Sequence, residues 1–121
     1  MVFIADADHD LREILAAALE NRGYAVRHTG DGLEAAAALV AHPVQVVLAD
    51  RHLLNPEGAP LWHLIRQKHS SLPVIVMTSP SGGEEIQAVL NLGVHACLEK
   101  PFGIDALLAL VRTALGVQGV A

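Results

Sequence analysis

The apolar residues of the chain alternate between two kinds of pattern. Short runs rich in β-branched residues predict strands, and they lie at Val2–Ala5, Tyr24–His28, Val44–Ala49, Val74–Thr78 and Ala96–Leu98. Between them, apolar residues recur at helical spacing in Leu11–Asn21, Gly32–Ala41, Ala59–Lys68, Glu84–Leu92 and Ile104–Leu115. Five strands alternating with five helices predict a doubly wound α/β domain, in which helices cover both faces of a parallel sheet.

Size and composition narrow the class of protein. The chain has 121 residues, 52% of them hydrophobic and 17% charged, which predicts a single globular domain over 1–121 with a fraying tail at about 116–121. Cys97 is the only cysteine, so an internal disulfide and a thiolate metal cluster are excluded. The net charge of -5 argues against direct binding of nucleic acid by this domain. With no membrane-length apolar run and no secretory signal pattern, we expect no membrane association and a cytoplasmic location.

Polar residues lie where the predicted strands end. Asp6 follows the first strand, and Asp50 follows the third. Thr78 closes the fourth strand, and Lys100 follows the fifth. In an open parallel sheet these ends share one edge, and in the order 2-1-3-4-5 the crevice where ligands bind falls between the first and third strands. We therefore expect the four side chains to converge there, although each acid alone could simply cap a helix.

The chemistry that such a group supports is phosphoryl transfer. A carboxylate such as that of Asp50 can attack a phosphoryl group and form an acyl phosphate. Mg²⁺ held by neighbouring carboxylates, Asp6 among them, would neutralise the developing charge. The hydroxyl of Thr78 and the ammonium of Lys100 could hold phosphoryl oxygens.

Four segments resemble the receiver domain of two-component response regulators, in order and at that family's spacing over essentially the whole chain. They are FIADADHDLREIL, VVLADRHLLNPEG, PVIVMTS and LEKPF. The resemblance implies a CheY-like, flavodoxin-like (βα)5 fold with strand order 2-1-3-4-5. It also implies a signalling module rather than a turnover enzyme, phosphorylated by a histidine kinase or phosphotransfer protein.

The same resemblance assigns roles to individual residues. Asp50 would accept the phosphoryl group, Thr78 would be the hydroxyl switch, and Lys100, before a cis bond to Pro101, would contact the phosphoryl group. Asp6, Asp50 and the backbone carbonyl of His52 would bind Mg²⁺. The face formed by helix 4, strand 5 and helix 5 is where receivers commonly dimerise or contact an output partner, and the few polar residues of the last helix favour that use.

Two positions depart from the family pattern. Ala7 stands where the family has a second acid that contacts the metal, so we expect weak Mg²⁺ binding and slow phosphorylation. Asp8 is a candidate replacement ligand, although it lies one residue further along. Cys97 stands where the family usually has tyrosine or phenylalanine, so the usual coupling of Thr78 to an aromatic ring is not expected.

Other interpretations of these motifs stay open. Ala7 and Cys97 favour a degenerate receiver that acts by docking or dimerisation without phosphorylation. The DAD motif also resembles the nucleophile motif of haloacid-dehalogenase-type phosphatases, with Asp6 as nucleophile and Asp8 as acid/base, but the chain is short for that family and Asp50 would be unexplained. The segment TGDGLEAA superficially matches a dinucleotide fingerprint, but it follows an edge strand, which favours a glycine turn that leads into a helix.

Overall fold

The computed structural model describes residues 1–80 and 83–116, so the predicted tail lies, from residue 117 onward, outside the described residues. Strands and helices alternate along the described chain. The strands are β1 (Val2–Ala5), β2 (Val26–Thr29), β3 (Val46–Asp50), β4 (Val74–Thr78) and β5 (Ala96–Glu99). The helices are α1 (His9–Glu20), α2 (Gly32–Ala41), α3 (Leu61–Lys68), α4 (Gly83–Asn91) and α5 (Ile104–Ala114).

The strands form one parallel sheet in the order β2-β1-β3-β4-β5. This confirms the predicted fold class and strand order. Because β1 lies between β2 and β3 in the sheet, the strand order reverses at the boundary of β1 and β3. The residues that follow these two strands therefore meet at the edge of the sheet where folds of this kind bind ligands.

Alternate residues of β1, β3 and β4 face two separate hydrophobic clusters. Ile4 and Leu48 belong to the cluster that is covered by α1 and α5. Phe3 and Val47 belong to the cluster that is covered by α2, α3 and α4. Burial on both faces explains why β1, β3 and β4 read as continuous apolar runs.

Several predicted element boundaries move by one or two residues for identifiable reasons. The amide of Tyr24 donates to the carbonyl of Leu19 at the end of α1, so β2 begins later than predicted. Helix α1 begins earlier than predicted because the side chain of Asp8 accepts a hydrogen bond from the amide of Leu11. Helical spacing from Leu11 onward predicts Asp10 as the N-cap of α1, and this prediction is wrong because Asp8 is the N-cap.

The apolar character of α5 is explained by packing. Its residues Leu107, Leu108 and Val111 are buried against the sheet, while its exposed positions carry alanine and polar side chains. The narrow polar stripe of α5 therefore does not mean that an apolar face of this helix is exposed. Among the described residues, no helix is long and apolar enough to cross a membrane.

Candidate functional site

The four residues expected at the carboxyl edge of the sheet all lie there. Asp6 directly follows β1 and is buried, with 2% of its surface exposed. Asp50 ends β3, and Thr78 ends β4 with 1% of its surface exposed. Lys100 follows β5, and its peptide bond to Pro101 is cis, as the sequence predicts. A buried acid at a strand end requires a partner, which the site provides.

That partner is Lys100, which bridges the two acids. Its Nζ lies 2.7 Å from Oδ2 of Asp6 and 2.9 Å from Oδ1 of Asp50. Burial by itself lowers the pKa of Lys100, but the hydrogen bonds to Asp6 and Asp50 outweigh burial and raise it. Lys100 is therefore a fixed cation between two carboxylates.

Backbone amides satisfy the remaining carboxylate oxygens. The amide of Asp8 donates to Oδ1 of Asp6 at 2.8 Å, and the amide of His52 donates to Oδ2 of Asp50 at 3.1 Å. Each of the four oxygens thus accepts one hydrogen bond, and both side chains are held by the loop that follows their own strand. Such fixed carboxylates suit a reaction that requires alignment of the attacking oxygen.

Thr78 differs from its neighbours because its hydroxyl has no hydrogen-bond partner among the described residues. A buried polar group without a partner destabilises the fold by about 1–3 kcal/mol. Such a group in an otherwise satisfied site is well suited to bind an oxygen that arrives later.

The donor chemistry of the site fits Mg²⁺ but offers few ligands. Two carboxylates are present, and the position of His52 beside Asp50 agrees with its carbonyl as a third oxygen. In the described chain, no group of three or more acidic, histidine or cysteine side chains is placed so that it could hold a metal ion. Ala7 is exposed and has no ligand atom. Because Mg²⁺ retains several waters, two carboxylates would suffice to hold it, and Lys100 would compete with it as a cation.

Asp8, the candidate replacement ligand, has a structural task in α1. Its Oδ1 accepts the amide hydrogen of Leu11 at 3.1 Å and caps α1. Its contact with the site is through its backbone amide, which bonds to Asp6. The two acids of the DAD motif thus have different tasks: Asp6 belongs to the site, and Asp8 caps α1.

Two residues near the site, Cys97 and Arg51, connect it to β5 and α4. Cys97 is half-buried in β5, and burial raises the pKa of its thiol. Arg51, the residue after Asp50, forms a 2.7 Å ion pair with Glu85 of α4. Sequence inspection did not single out Arg51, because nothing in its local pattern shows that α4 lies beside it.

The comparisons with known proteins agree with this geometry. The family model described as the response regulator receiver domain matches residues 2–112. The sensor histidine kinase RcsC of Salmonella typhi is 36% identical over 108 residues, which are 88% of this chain and 11% of that protein. The DNA-binding transcriptional regulator NtrC of Salmonella typhimurium is 34% identical over 115 residues, which are 95% of this chain and 24% of that protein. The chain thus spans a quarter or less of these relatives.

Solved structures show the same architecture. The receiver domain of NtrX from Brucella abortus superimposes with a TM-score of 0.87 at 27% identity, over 96% of this chain and 98% of that one. The chemotaxis response regulator CheY4 of Vibrio cholerae superimposes with a TM-score of 0.81 at 24% identity, over 94% of this chain and 97% of that one. The second likeness concerns the fold alone.

Proposed function

Because the chain belongs to the response regulator receiver domain family, we propose that Asp50 accepts a phosphoryl group from a histidine kinase or phosphotransfer protein. Membership of the family makes this chain a signalling domain of the two-component type rather than a classical enzyme. The observation that carries the proposal is the unpartnered hydroxyl of Thr78 in a site where Lys100 holds Asp50.

Each residue has a defined task in the proposed transfer. An oxygen of Asp50 forms a bond to phosphorus while the bond from phosphorus to the donor's histidine nitrogen breaks, and that nitrogen retains the electron pair. After the transfer, Lys100 contacts a phosphoryl oxygen in place of the Asp50 carboxylate oxygen. A second phosphoryl oxygen accepts the hydrogen bond that the Thr78 hydroxyl otherwise cannot donate.

Mg²⁺ would be held by Asp6, Asp50 and the backbone carbonyl of His52. When bound, it neutralises charge on the transferred group. Lys100 already contacts Oδ2 of Asp6, so it would compete with a bound cation for the same carboxylate. The proposal therefore includes weak Mg²⁺ binding and slow phosphorylation.

A second candidate is a degenerate receiver that works without phosphorylation. Two features of the site favour it. Lys100 pairs with both acids without a metal, and Ala7 stands where a metal-binding acid would be. Retention of Asp50, Thr78 and Lys100 together favours the phosphoacceptor. The phosphatase alternative loses support from the family match and from the cap formed by Asp8.

A change at Asp50 would act through a partner surface, which we propose is the face of α4, β5 and α5. Leu90, a large apolar residue near the end of α4 with 36% of its surface exposed, supports this choice. Light scattering with and without a phosphoryl mimic tests self-association through this face. A monomer under both conditions at high concentration would argue against a homodimer and leave an output partner.

Incubation with a small phosphodonor, such as acetyl phosphate, tests the main proposal. Intact-mass measurement should show addition of one phosphoryl group to the wild type in the presence of Mg²⁺ and much less with a chelator. An adduct that forms equally well with the chelator would remove Mg²⁺ from the account. Absence of any adduct, while a second receiver is labelled under the same conditions, would favour the degenerate receiver.

A further inference from the structure

The guanidinium of Arg12 joins α1 to the end of β1 and to β2. Its Nη1 donates to the backbone carbonyl of Asp6 at 2.6 Å. Its Nε donates to Nδ1 of His28 in β2 at 3.1 Å, and its Nη2 lies 3.3 Å from Nδ1 of His9. One planar side chain thus spans three groups, a geometry that a lysine ammonium cannot reproduce.

Gly30 provides the space for this contact. A Cβ at residue 30 would lie 2.5 Å from Nη1 of Arg12 and 3.2 Å from the carbonyl oxygen of Asp6. A side chain at the first of the two glycines in TGDG would therefore displace the guanidinium of Arg12. The second, Gly32, approaches the backbone of the loop after β3, since its Cβ would lie 2.2 Å from the carbonyl oxygen of Leu54. These contacts explain a motif that the sequence alone left as a turn.

We propose that Arg12 is a positioning residue for the phosphorylation site and acts by holding the Asp6–Ala7 peptide. The amide of Asp6 donates to the carbonyl of Thr29 at 3.1 Å, and its own carbonyl accepts from Arg12, so the residue is held on both sides. The placement of the Asp6 carboxylate follows from the placement of this backbone.

Ala7 makes this restraint more important than it would be in a site with two adjacent acids. Asp6 is the only acid here that pairs with Lys100 from the β1 side, because Ala7 has no carboxylate and Asp8 caps α1. A displaced Asp6 has no neighbour to replace it as a metal ligand. The effect of Arg12 on phosphorylation rests on the proposed function. The effect of Arg12 on the position of Asp6 does not depend on that function.

Replacement of Arg12 tests the inference directly. Groups that orient a metal ligand typically change metal affinity or activity by about 10- to 100-fold when removed, so Arg12→Ala should lower both Mg²⁺ affinity, measured by calorimetry, and the rate of phosphoryl addition by about tenfold. Arg12→Lys, which keeps the charge but not the fork, should recover only part of the loss. Arg27→Ala, at an exposed arginine of β2, is the matched control and should leave both quantities unchanged.

A milder variant keeps the test valid if Arg12→Ala folds poorly. Gly30→Ala displaces the guanidinium without removing it, and should reduce Mg²⁺ affinity in the same direction by a smaller factor. In an Arg12→Lys background the same change should have little further effect, because lysine lacks the Nη1 atom that gives the main clash. Equal effects of Gly30→Ala in both backgrounds would overturn the role of Arg12.

The acceptor on β2 provides an independent variant. His28→Asn keeps an oxygen near the place of Nδ1, whereas His28→Leu removes the acceptor. We expect near wild-type Mg²⁺ affinity for the first and a loss for the second, which a general loss of packing would not produce. Equal Mg²⁺ affinities for the two variants would count against the inference.

Nuclear magnetic resonance separates this inference from the proposed function. The backbone nitrogen of Ala7 is bonded to the carbonyl carbon of Asp6, so its resonance reports the hydrogen bond from Arg12. It should shift in Arg12→Ala and in His28→Leu but not in Arg27→Ala, whether or not the protein can be phosphorylated. No shift in Arg12→Ala would overturn the inference, whereas a shift without phosphorylation of the wild type would sink only the proposed function.

Discussion

Lys100 and Asp6 lie 94 positions apart in the sequence and form a 2.7 Å ion pair at the centre of the site. The same ammonium lies 2.9 Å from Asp50, so one lysine pairs with both the residue proposed to accept the phosphoryl group and the residue proposed to hold the metal. Since Asp6 is buried, its charge depends on this contact for stabilisation.

The stability that Lys100 provides should depend on pH in a defined direction. The folded pKa of Lys100 is raised, so its contribution is complete below the unfolded pKa of about 10.4 and is lost as the pH rises through the higher folded pKa. Lys100→Met should lower the free energy of unfolding by about 2–4 kcal/mol at neutral pH, since two carboxylates lose their cation. Urea unfolding of both proteins should show this difference shrinking only above about pH 10. A difference that shrinks between neutral pH and pH 9 would contradict the assignment.

Restoring the missing acid should strengthen the metal site. Ala7→Asp adds a carboxylate at an exposed position beside Asp6, and charge count largely sets the affinity of such sites. We expect Mg²⁺ to bind about tenfold more tightly, as measured by calorimetry. Ala7→Asn is the control of nearly equal size without the charge, and it should gain much less. An unchanged affinity in Ala7→Asp would show that the missing acid does not limit binding.

Asp8 should affect stability rather than metal binding. Loss of its cap in Asp8→Ala should lower the free energy of unfolding by about 1 kcal/mol, whereas Asp8→Ser should retain most of the cap. Mg²⁺ affinity should equal that of the wild type in both variants. A marked loss of affinity in Asp8→Ala would return Asp8 to the site as a ligand.

Removal of the Thr78 hydroxyl should make the unphosphorylated protein more stable. Its hydroxyl is buried without a partner, so Thr78→Val, which has nearly the same shape, should raise the free energy of unfolding by about 1 kcal/mol. The same variant should lose the stabilisation that phosphorylation adds to the wild type. Chemical denaturation before and after treatment with a phosphodonor measures both effects. A destabilised Thr78→Val would mean that the hydroxyl has a partner in solution.

The fold was predictable because buried parallel strands leave a strong pattern. The continuous apolar runs of β3 and β4, and the glycines that end helices at positive φ, Gly23 and Gly93, are local signals. The confirmed strand order then accounts for the meeting of Asp6 and Asp50 at one edge. Their chemical roles remain predictions.

The rest of the site depends on contacts between distant segments, which periodicity does not encode. No local pattern shows that Lys100 reaches both acids, or that Arg12 passes over Gly30. The choice of Asp8 over Asp10 as the helix cap depends on backbone angles at the end of β1. These features depend on the segments after β1, β2, β3 and β5 lying together at one edge of the sheet.

The most direct test of the central claim is to locate the phosphoryl group. After incubation with a phosphodonor and Mg²⁺, reduction of the acyl phosphate with borohydride leaves a stable mark that peptide mass spectrometry can assign. The account predicts that the mark lies on Asp50 and is absent from Asp50→Asn. A mark on Asp6, or an unmarked wild type beside a second receiver that is labelled in parallel, would contradict it.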